Sequence, residues 1–214
     1  MRNVLIIGLG RFGRHAALKL TELGHEVMAV DRNESKVEAA MNFLSNVAIG
    51  DSTRQDFLES LGIEDFDVCI VAIGDDFQSS LETTALLKEL GAKKVVSRAS
   101  RDVHRKFLLN NGADEVVYPE RDIAEWTAIR QSGDYIMDYI SLDDSHGLFE
   151  IKVPEKWVGK SLAQLDIRRK YNLNVVAVKN GDDLIVGSDP DRLLNADERL
   201  MILARNQDIH KYVK

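Results

Sequence analysis

The sequence contains little cysteine and no cluster of positive charge. Its single cysteine, Cys69, excludes an internal disulfide and favours a reducing compartment; it lies in the apolar run VCIVAI and is predicted to be a buried hydrophobic residue. Lys and Arg total 28 against 35 Asp and Glu, so the net charge is −7. No block of Lys and Arg suggests a nucleic-acid-binding surface, and we expect no nucleic-acid partner.

Long apolar segments are also absent. The first apolar run is interrupted by Gly8 and Gly10 before a signal-peptide core or a membrane span is complete, and no later segment is long and apolar enough. We therefore expect a soluble, cytoplasmic protein without direct membrane insertion. If it acts at a membrane, another subunit must span the bilayer.

Several enzyme signatures are missing. No Tyr is followed four residues later by Lys, as in short-chain dehydrogenases, no GxSxG occurs, and no glycine loop ends in the Lys-Ser/Thr of a P-loop. No histidine pairs with Cys or another His at metal-ligand spacing. The histidines, expected at the surface or in packing, are His15, His25, His104, His146 and His210. The sequence thus provides no catalytic residue, and we expect a protein that is not an enzyme.

What the sequence does contain is a repeated alternation of strand and helix. Six short, nearly continuous apolar runs each precede a helical pattern or a turn, as expected of strands buried on both faces of a parallel sheet. The runs are NVLIIG, HEVMAVD, NVAIGD, FDVCIVAIG, KKVVSR and DEVVYP, and the helical patterns cover residues 11–23, 34–44, 54–61, 77–90 and 101–111. This predicts an α/β fold, a Rossmann-like doubly wound parallel sheet.

A crossover segment and a second, smaller domain follow Pro119. Apolar residues at roughly helical spacing predict a crossover helix or helix pair: Ile123, Trp126, Ile129, Ile136 and Ile140. This segment packs on its own sheet or, given Trp126 and Tyr139, buries against a second copy. Beyond it, LFEIKV, NVVAVKNGDDLIVG and ERLMILA predict short strands with a hairpin turn at Asn180-Gly181, and KSLAQLDIRRKY predicts a helix. The predicted domains are residues 1–138 and a small α+β domain at 139–214.

The segment LIIGLGRFGRH carries a GxGxxG motif, made by Gly8, Gly10 and Gly13, between a strand and a helix. The first glycine permits the tight turn, the second lets a phosphate approach the backbone, and the third lets the helix pack on the strand. The free N–H groups of the helix N-terminus attract the phosphate. Asp31, 18 residues after the third glycine, is placed to accept hydrogen bonds from ribose hydroxyls. The pattern predicts nucleotide binding; the alternative is a structural turn with Asp31 as a surface acid.

The residues beside the loop bear on which nucleotide binds. The Asp31 carboxylate disfavours the 2′-phosphate of NADP, although the neighbouring Arg32 leaves NADP binding open. Arg11, inside the loop, is suited to a terminal phosphate and favours ATP or ADP over NAD or NADH, whereas Arg14 is expected on a solvated helix face. The ends of other strands supply three further residues. Asp51 is expected to contact the base or ribose, and the alternative is that Ser52 or Thr53 merely caps the next helix. Asp76 is expected to be a helix cap rather than a ligand, and Arg98 is a candidate ligand. The candidate binding residues are Gly8, Gly10, Arg11, Phe12, Gly13, Asp31, Arg32, Asp51, Ser52, Ile73, Gly74 and Arg98.

The segments VLIIGLGRFG, FDVCIVAIGDD, SLETTALLKELGAKKVVSRA and GADEVVYPERDIA, with the tail GKSLAQLDIRRKYNLNVVAVKNGD, resemble the RCK family, the regulators of potassium conductance. Within that family, nearly the whole chain is similar to KtrA-type and TrkA-type subunits of bacterial potassium uptake systems. The resemblance implies that Arg11 contacts a terminal phosphate and that Glu120 helps to bind Mg2+ or another cation near the phosphates. From sequence alone, Glu120 is equally a carboxylate favoured at a helix N-terminus.

The resemblance also implies partners and a second ligand. It implies homodimers that assemble into an octameric ring at the inner face of the plasma membrane, docked on a membrane potassium channel subunit of the KtrB or TrkH type. Cyclic di-AMP is a further possible ligand of the C-terminal domain, in the region of Arg168, Asn174 and Pro190. The predicted function is nucleotide-dependent gating of potassium uptake through a change in ring conformation. The alternatives are a small NAD-dependent oxidoreductase and an RCK regulator of another transporter, such as a cation/proton antiporter or a divalent-ion transporter.

Overall fold

The computed structural model describes residues 1–143, 145–187 and 189–212, and it describes the backbone alone for residues 210–212, so the side chain of His210 lies outside the described residues. The chain forms two compact units, Met1–Glu120 and Arg121–Lys214. The contacts thus divide the chain earlier than the sequence-based boundary at residues 138 and 139. The crossover segment accounts for the difference, because its Trp126 and Ile129 pack against the core of the second unit.

The first unit is built on a six-stranded parallel sheet with the order β3-β2-β1-β4-β5-β6. Its strands are β1 (Asn3–Ile7), β2 (Glu26–Asp31), β3 (Asn46–Ile49), β4 (Val68–Val71), β5 (Val95–Arg98) and β6 (Glu115–Val117). Four consecutive residues of β1, from Val4 to Ile7, are buried, as the continuous apolar run predicts. The predicted doubly wound sheet is confirmed.

Helices cover both faces of this sheet. They are α1 (Arg11–Glu22), α2 (Glu34–Ala40), α3 (Gln55–Ser60), α4 (Phe77–Glu89) and α5 (Asp102–Asn110). Ala17 of α1 and Val37 of α2 belong to one apolar cluster, whereas Leu58 of α3 and Leu87 of α4 belong to another. Burying a leucine side chain contributes about 1.5–3 kcal/mol, so these two layers hold the strand ends in place. Cys69 is fully buried and free, as predicted.

The crossover segment departs from the helical prediction. Helix α6 (Pro119–Gln131) ends before Gly133, and strand β7 (Ile136–Ser141) follows, so the prediction that Ile136 and Ile140 lie on a helix is wrong. The reason is an irregularity in the pairing of β7 between Ile136 and Asp138. It moves the second buried position to Tyr139, three residues after Ile136, and this spacing resembles one turn of a helix.

The second unit contains a five-stranded antiparallel sheet with the order β10-β9-β11-β8-β7. Its other strands are β8 (His146–Lys152), β9 (Asn174–Asn180), β10 (Asp183–Val186) and β11 (Arg199–Arg205), and its helices are α7 (Leu162–Leu165), α8 (Ile167–Tyr171) and α9 (Asn206–Tyr212). The predicted hairpin joins β9 and β10. The predicted single helix is divided into α7 and α8 because Asp166 adopts a left-handed conformation, with φ of 49°.

Tyr139 belongs to the core of the second unit. Its ring lies 4.8 Å from that of Phe149, and its hydroxyl donates to Asn206 over 3.4 Å. Trp126 is partly buried against the same core and donates its indole N–H to Asp138. Both side chains pack within the second unit, and burial of this segment against a second copy stays a prediction.

Candidate nucleotide-binding site

The glycine loop connects β1 to α1, and each glycine meets a different steric requirement. Gly8 has φ of +100°, and a Cβ there would lie 3.2 Å from the backbone of Ala72. A Cβ on Gly13 would lie 1.9 Å from the carbonyl oxygen of Gly8, so only glycine lets α1 approach the strand. A Cβ on Gly10 would meet nothing within 4 Å. The loop is therefore closed by the first and third glycines and open at the second, where a phosphate would approach.

The N-terminus of α1 is suited to an anion. Gly10 is its N-cap residue and no side-chain hydrogen bond caps the helix, while the first turn contains no acidic residue. The free N–H groups and the positive end of the helix dipole therefore face the open side of the loop without a competing carboxylate.

Asp31 ends β2 beside this loop and is 7% exposed, which rules out a surface acid. One carboxylate oxygen accepts the backbone N–H of Leu9 over 2.7 Å, and the other accepts that of Asn33 over 2.9 Å. The Nζ atom of Lys36, on α2, lies 3.3 Å from the same carboxylate. Asp31 thus holds the glycine loop, and its role as a ribose ligand stays a prediction.

The ends of β3 and β4 are held by local hydrogen bonds. Asp51 accepts from the backbone N–H and the hydroxyl of Thr53, bonds that lower the pKa of the carboxyl group. The predicted capping of α3 by Ser52 or Thr53 is wrong, because the N-cap residue is Arg54. The Ser52 hydroxyl is buried and pairs with another side chain of this unit, described below.

Asp76 caps α4, as predicted. Its carboxylate accepts from the backbone N–H of Ser79 over 3.1 Å and from the Ser79 hydroxyl over 2.7 Å, and both bonds lower the pKa of Asp76. Arg32, a candidate ligand residue, lies 3.4 Å from the same carboxylate. Arg32 is therefore oriented across the crevice from the end of β2 toward the start of α4.

A second group of charges lies at the ends of β5 and β6. Arg98 is 16% exposed and its guanidinium donates to the Glu120 carboxylate at the start of α6. Arg98 packs against Gly74, where a Cβ would lie 2.2 Å from its Nη1 atom. Partial burial acts to raise the pKa of Glu120, but the helix backbone, Arg98 and the positive charge of Arg11 outweigh it and lower that pKa. Arg11, Arg98 and Glu120 thus share one electrostatic environment.

The side chains of the two apolar candidate residues pack against the core of the first unit. Phe12 lies partly buried against the apolar cluster that contains α1 and α2, and Ile73 lies against the cluster that contains α3 and α4. Their backbones belong to the crevice, at the loop and at the end of β4. A role of either residue in ligand binding stays a prediction.

Sequence reasoning missed three residues around this crevice. Lys36 follows Asp31 by five residues and gave no signal beyond an ordinary charged helix position. Thr83 and Thr84 are both fully buried on α4 and gave no signal, because the helix sequence FQSSLETTALLKE has polar residues at many other positions. Each bonds to a hydroxyl from another element.

Residues 1–143, 145–187 and 189–212 contain neither a metal-ligand cluster nor a membrane-spanning helix. No group of three or more His, Cys, Asp or Glu residues there is arranged to hold a metal ion, so Glu120 would need oxygen ligands from a bound phosphate. No helix in the same ranges combines the length and apolar character needed to span a bilayer.

The fold and the glycine loop are those of a Rossmann-like nucleotide-binding domain. Residues 4–119 match the TrkA-N domain and residues 148–214 match the TrkA-C domain, so the chain belongs to this family of potassium-transport regulators. It is 40% identical over 213 residues to Ktr system potassium uptake protein C of Bacillus subtilis (strain 168), covering 100% of this chain and 96% of that protein. It is 36% identical to Ktr system potassium uptake protein A of the same organism, covering 99% and 95% of the two chains.

Solved structures support the same fold. The GsuK channel aligns with a TM-score of 0.70 and 18% identity over 97% of this chain and 38% of that chain, a likeness of fold alone. The Kef C-terminal domain of Shewanella denitrificans, solved in an AMP-bound form, aligns with a TM-score of 0.53 and 29% identity over 60% of this chain and 78% of that chain. The predicted membership among potassium-uptake proteins of the Ktr and Trk type is confirmed.

Proposed function

We propose that this protein is a cytoplasmic, non-enzymatic subunit that senses a nucleotide and gates a potassium-uptake channel in the adjoining membrane. Full-length similarity to two Ktr potassium uptake proteins supports the physiological process. The observation that carries the sensing function is the glycine loop, closed at Gly8 and Gly13 and open at Gly10 beside the buried Asp31. A channel subunit of the KtrB or TrkH type supplies the membrane-spanning part.

The proposed ligands are ATP and ADP, with NAD and NADH as the second choice. The AMP-bound Kef domain, 29% identical to this chain, supports an adenine nucleotide at the loop. Arg11 and Arg98 supply positive charge beyond the loop, where a terminal phosphate would extend. A sensor must bind its two ligands differently in its two states, and the terminal phosphate is the difference available here.

Glu120 is the proposed cation ligand. Mg2+ is commonly held by one or two carboxylates together with phosphate oxygens, and a single carboxylate near two arginines fits that donor set only when a phosphate is bound. The ion would neutralise charge between the phosphates and Glu120. Arg98 must release this carboxylate for the ion to bind, so Arg98 and the cation compete for Glu120.

Assembly into dimers and an octameric ring is proposed on the same family basis. Helix α6 has no fully buried residue and Ile123 is 62% exposed, a surface suited to a second copy. Cyclic di-AMP is proposed for the C-terminal domain near Arg168 on α8, Asn174 at the start of β9, and Pro190. Arg168 and Asn174 are exposed, whereas the Pro190 carbonyl accepts the N–H of Ala163.

Calorimetric titration with ATP, ADP, NAD+ and NADH, with and without Mg2+, tests the ligand. We expect adenine nucleotides to bind without turnover, and ATP to bind more tightly when Mg2+ is present. Arg11→Ala should weaken ATP more than ADP, while the matched Arg14→Ala, whose guanidinium lies over the Phe43 ring, should leave both unchanged. Equal losses for ATP and ADP would remove the role given to Arg11, and steady oxidation of NADH would instead indicate an oxidoreductase.

Potassium uptake tests the partner. Co-expression with a membrane subunit of the KtrB or TrkH type, in a strain lacking its own potassium uptake, should restore growth at low potassium. Restoration should fail when Gly10 is replaced by a bulky residue that blocks the loop. Growth rescue only under sodium or divalent-ion stress would assign the subunit to a different transporter.

A further inference from the structure

Helix α4 carries two adjacent threonines, Thr83 and Thr84, that are both 0% exposed. The Thr83 hydroxyl lies 2.8 Å from the hydroxyl of Ser52, in the loop after β3. The Thr84 hydroxyl lies 2.9 Å from that of Ser97, on β5. Neighbouring residues of one helix therefore bond to two elements that are separated in the sheet by β2, β1 and β4.

The direction of the bond between Thr84 and Ser97 follows from the single hydrogen that the Thr84 hydroxyl can donate. Thr84 donates its only hydroxyl hydrogen to the backbone carbonyl of Ser80 over 2.8 Å. It must therefore accept from Ser97, which places the Ser97 hydroxyl toward α4. Because Ser97 directly precedes Arg98, this bond fixes the strand end from which Arg98 reaches Glu120.

The partners of the two bonds come from different sides of the sheet, Ser52 from the end of β3 and Ser97 from β5. Ser52 follows Asp51 on the side of the sheet where Asp31 stands, the ribose and base side. Ser97 lies on the side of Arg98 and Glu120, where a terminal phosphate would extend. Asp76, the N-cap residue of α4, also forms an ion pair with Arg32. One helix thus contacts both ends of the crevice.

We propose that Thr83 and Thr84 are positioning residues: Thr83 holds the Ser52 loop against the base end of the nucleotide, and Thr84 holds Arg98 for the terminal phosphate. This inference rests on the proposed function. Both buried hydroxyls have partners, and removing either one would leave a buried serine hydroxyl unsatisfied, which is costly. Valine, of nearly the same shape, removes each hydroxyl while filling the same space.

The test compares AMP with ATP on the full-length protein, since the two share the base end and differ in the terminal phosphates. Thr83→Val should weaken both nucleotides by about tenfold, because the released Ser52 loop would have to be ordered again when either one binds, at the cost of about one residue's conformational freedom. Thr84→Val should weaken ATP by about tenfold for the same reason at Arg98, and it should leave AMP unchanged. Thr83→Ser and Thr84→Ser should restore wild-type affinities because the hydroxyl returns.

Two controls separate positioning from folding. Thr21→Val removes a hydroxyl that bonds only to the Ala17 carbonyl of its own helix, and it should change neither affinity. Ser97→Ala breaks the Thr84 bond from the other side and should reproduce the ATP-selective loss, which keeps the test valid if Thr84→Val does not fold. Thermal unfolding of each variant accompanies the titrations.

The outcomes are distinct. Unchanged affinities in the valine variants, equal losses of AMP and ATP in Thr84→Val, or equal losses in the serine and valine variants would overturn this inference while the proposed function stands. A wild-type protein that binds neither AMP nor ATP would remove the proposed function, and this inference with it.

Discussion

Replacing Gly10 by alanine should abolish tight nucleotide binding with little change in stability. A Cβ at this position meets no atom within 4 Å, and Gly10 has φ of −66°, which alanine adopts freely. Alanine reduces the conformational freedom of the unfolded chain, which stabilises the folded protein by about 0.4–1 kcal/mol. Alanine is a poorer N-cap than glycine, which offsets this by several tenths of a kcal/mol. The net change is within about 1 kcal/mol, so Tm should move by less than about 4 °C.

Binding should respond very differently. The added methyl group would occupy the space through which a phosphate reaches the backbone N–H groups. Losing one hydrogen bond to a charged group costs about 1.5–3 kcal/mol, so Kd should rise at least about tenfold. Calorimetry with ATP and ADP measures this, and differential scanning fluorimetry on the same samples measures Tm.

Gly13→Ala is the matched comparison. Its Cβ would lie 1.9 Å from the Gly8 carbonyl oxygen, so α1 must move by about 1 Å to reach an allowed contact. Such overpacking costs about 1–3 kcal/mol, and Tm should fall by about 3 to 10 °C. If Gly10→Ala binds ATP as tightly as the wild type, or loses stability as Gly13→Ala does, the division of roles among the glycines is refuted.

Three further expectations follow from other parts of the fold. Asp76→Ala removes the α4 cap and should lower stability by about 1 kcal/mol, seen as a Tm lower by about 2–4 °C, whereas Asp76→Asn should retain most of it. Burial raises the pKa of the Cys69 thiol to about 12, so it should resist alkylation at pH 8 in the native protein and react only after unfolding; rapid native labelling would contradict its burial. Burial acts to raise the pKa of Glu198, but the Asn195 N–H and the Arg192 guanidinium outweigh it and lower that pKa. The stabilisation from this lowered pKa is therefore present above pH 4.5 and is lost as the pH falls further, and Glu198→Gln should flatten this acid limb of the Tm profile.

The sequence was sufficient for the architecture of the first unit because its strands are buried on both faces and read as continuous apolar runs. The glycine loop was equally predictable from its motif, since a side chain at Gly8 or Gly13 would clash with the backbone. Ile136 and Ile140 were misassigned because their spacing of four residues is that of a helix, whereas the irregular pairing of β7 buries Tyr139 and leaves Ile140 56% exposed. Local periodicity does not reveal such an irregularity, which depends on the partner strand.

Contacts between distant residues were beyond sequence reasoning for a related reason. Nothing in the sequence indicates that Arg98 packs on Gly74 and reaches Glu120, because this depends on how three strand ends are arranged. Thr83 and Thr84 were passed over because polar residues within a helix are more often solvated. Their burial is set by the helix face that α4 turns toward the sheet.

Because the Leu9 N–H donates to Asp31, the glycine loop takes its shape when the protein folds. Ordering a residue costs about 1–2 kcal/mol, and here that cost is met before any nucleotide arrives. Preorganisation of this kind favours affinity for whatever the ligands have in common, because each of them meets the same rigid cradle. Discrimination between the proposed ligands ATP and ADP would then fall to side chains around this backbone cradle, namely Arg11 and Glu120, with Arg98 and the cation competing for the Glu120 carboxylate.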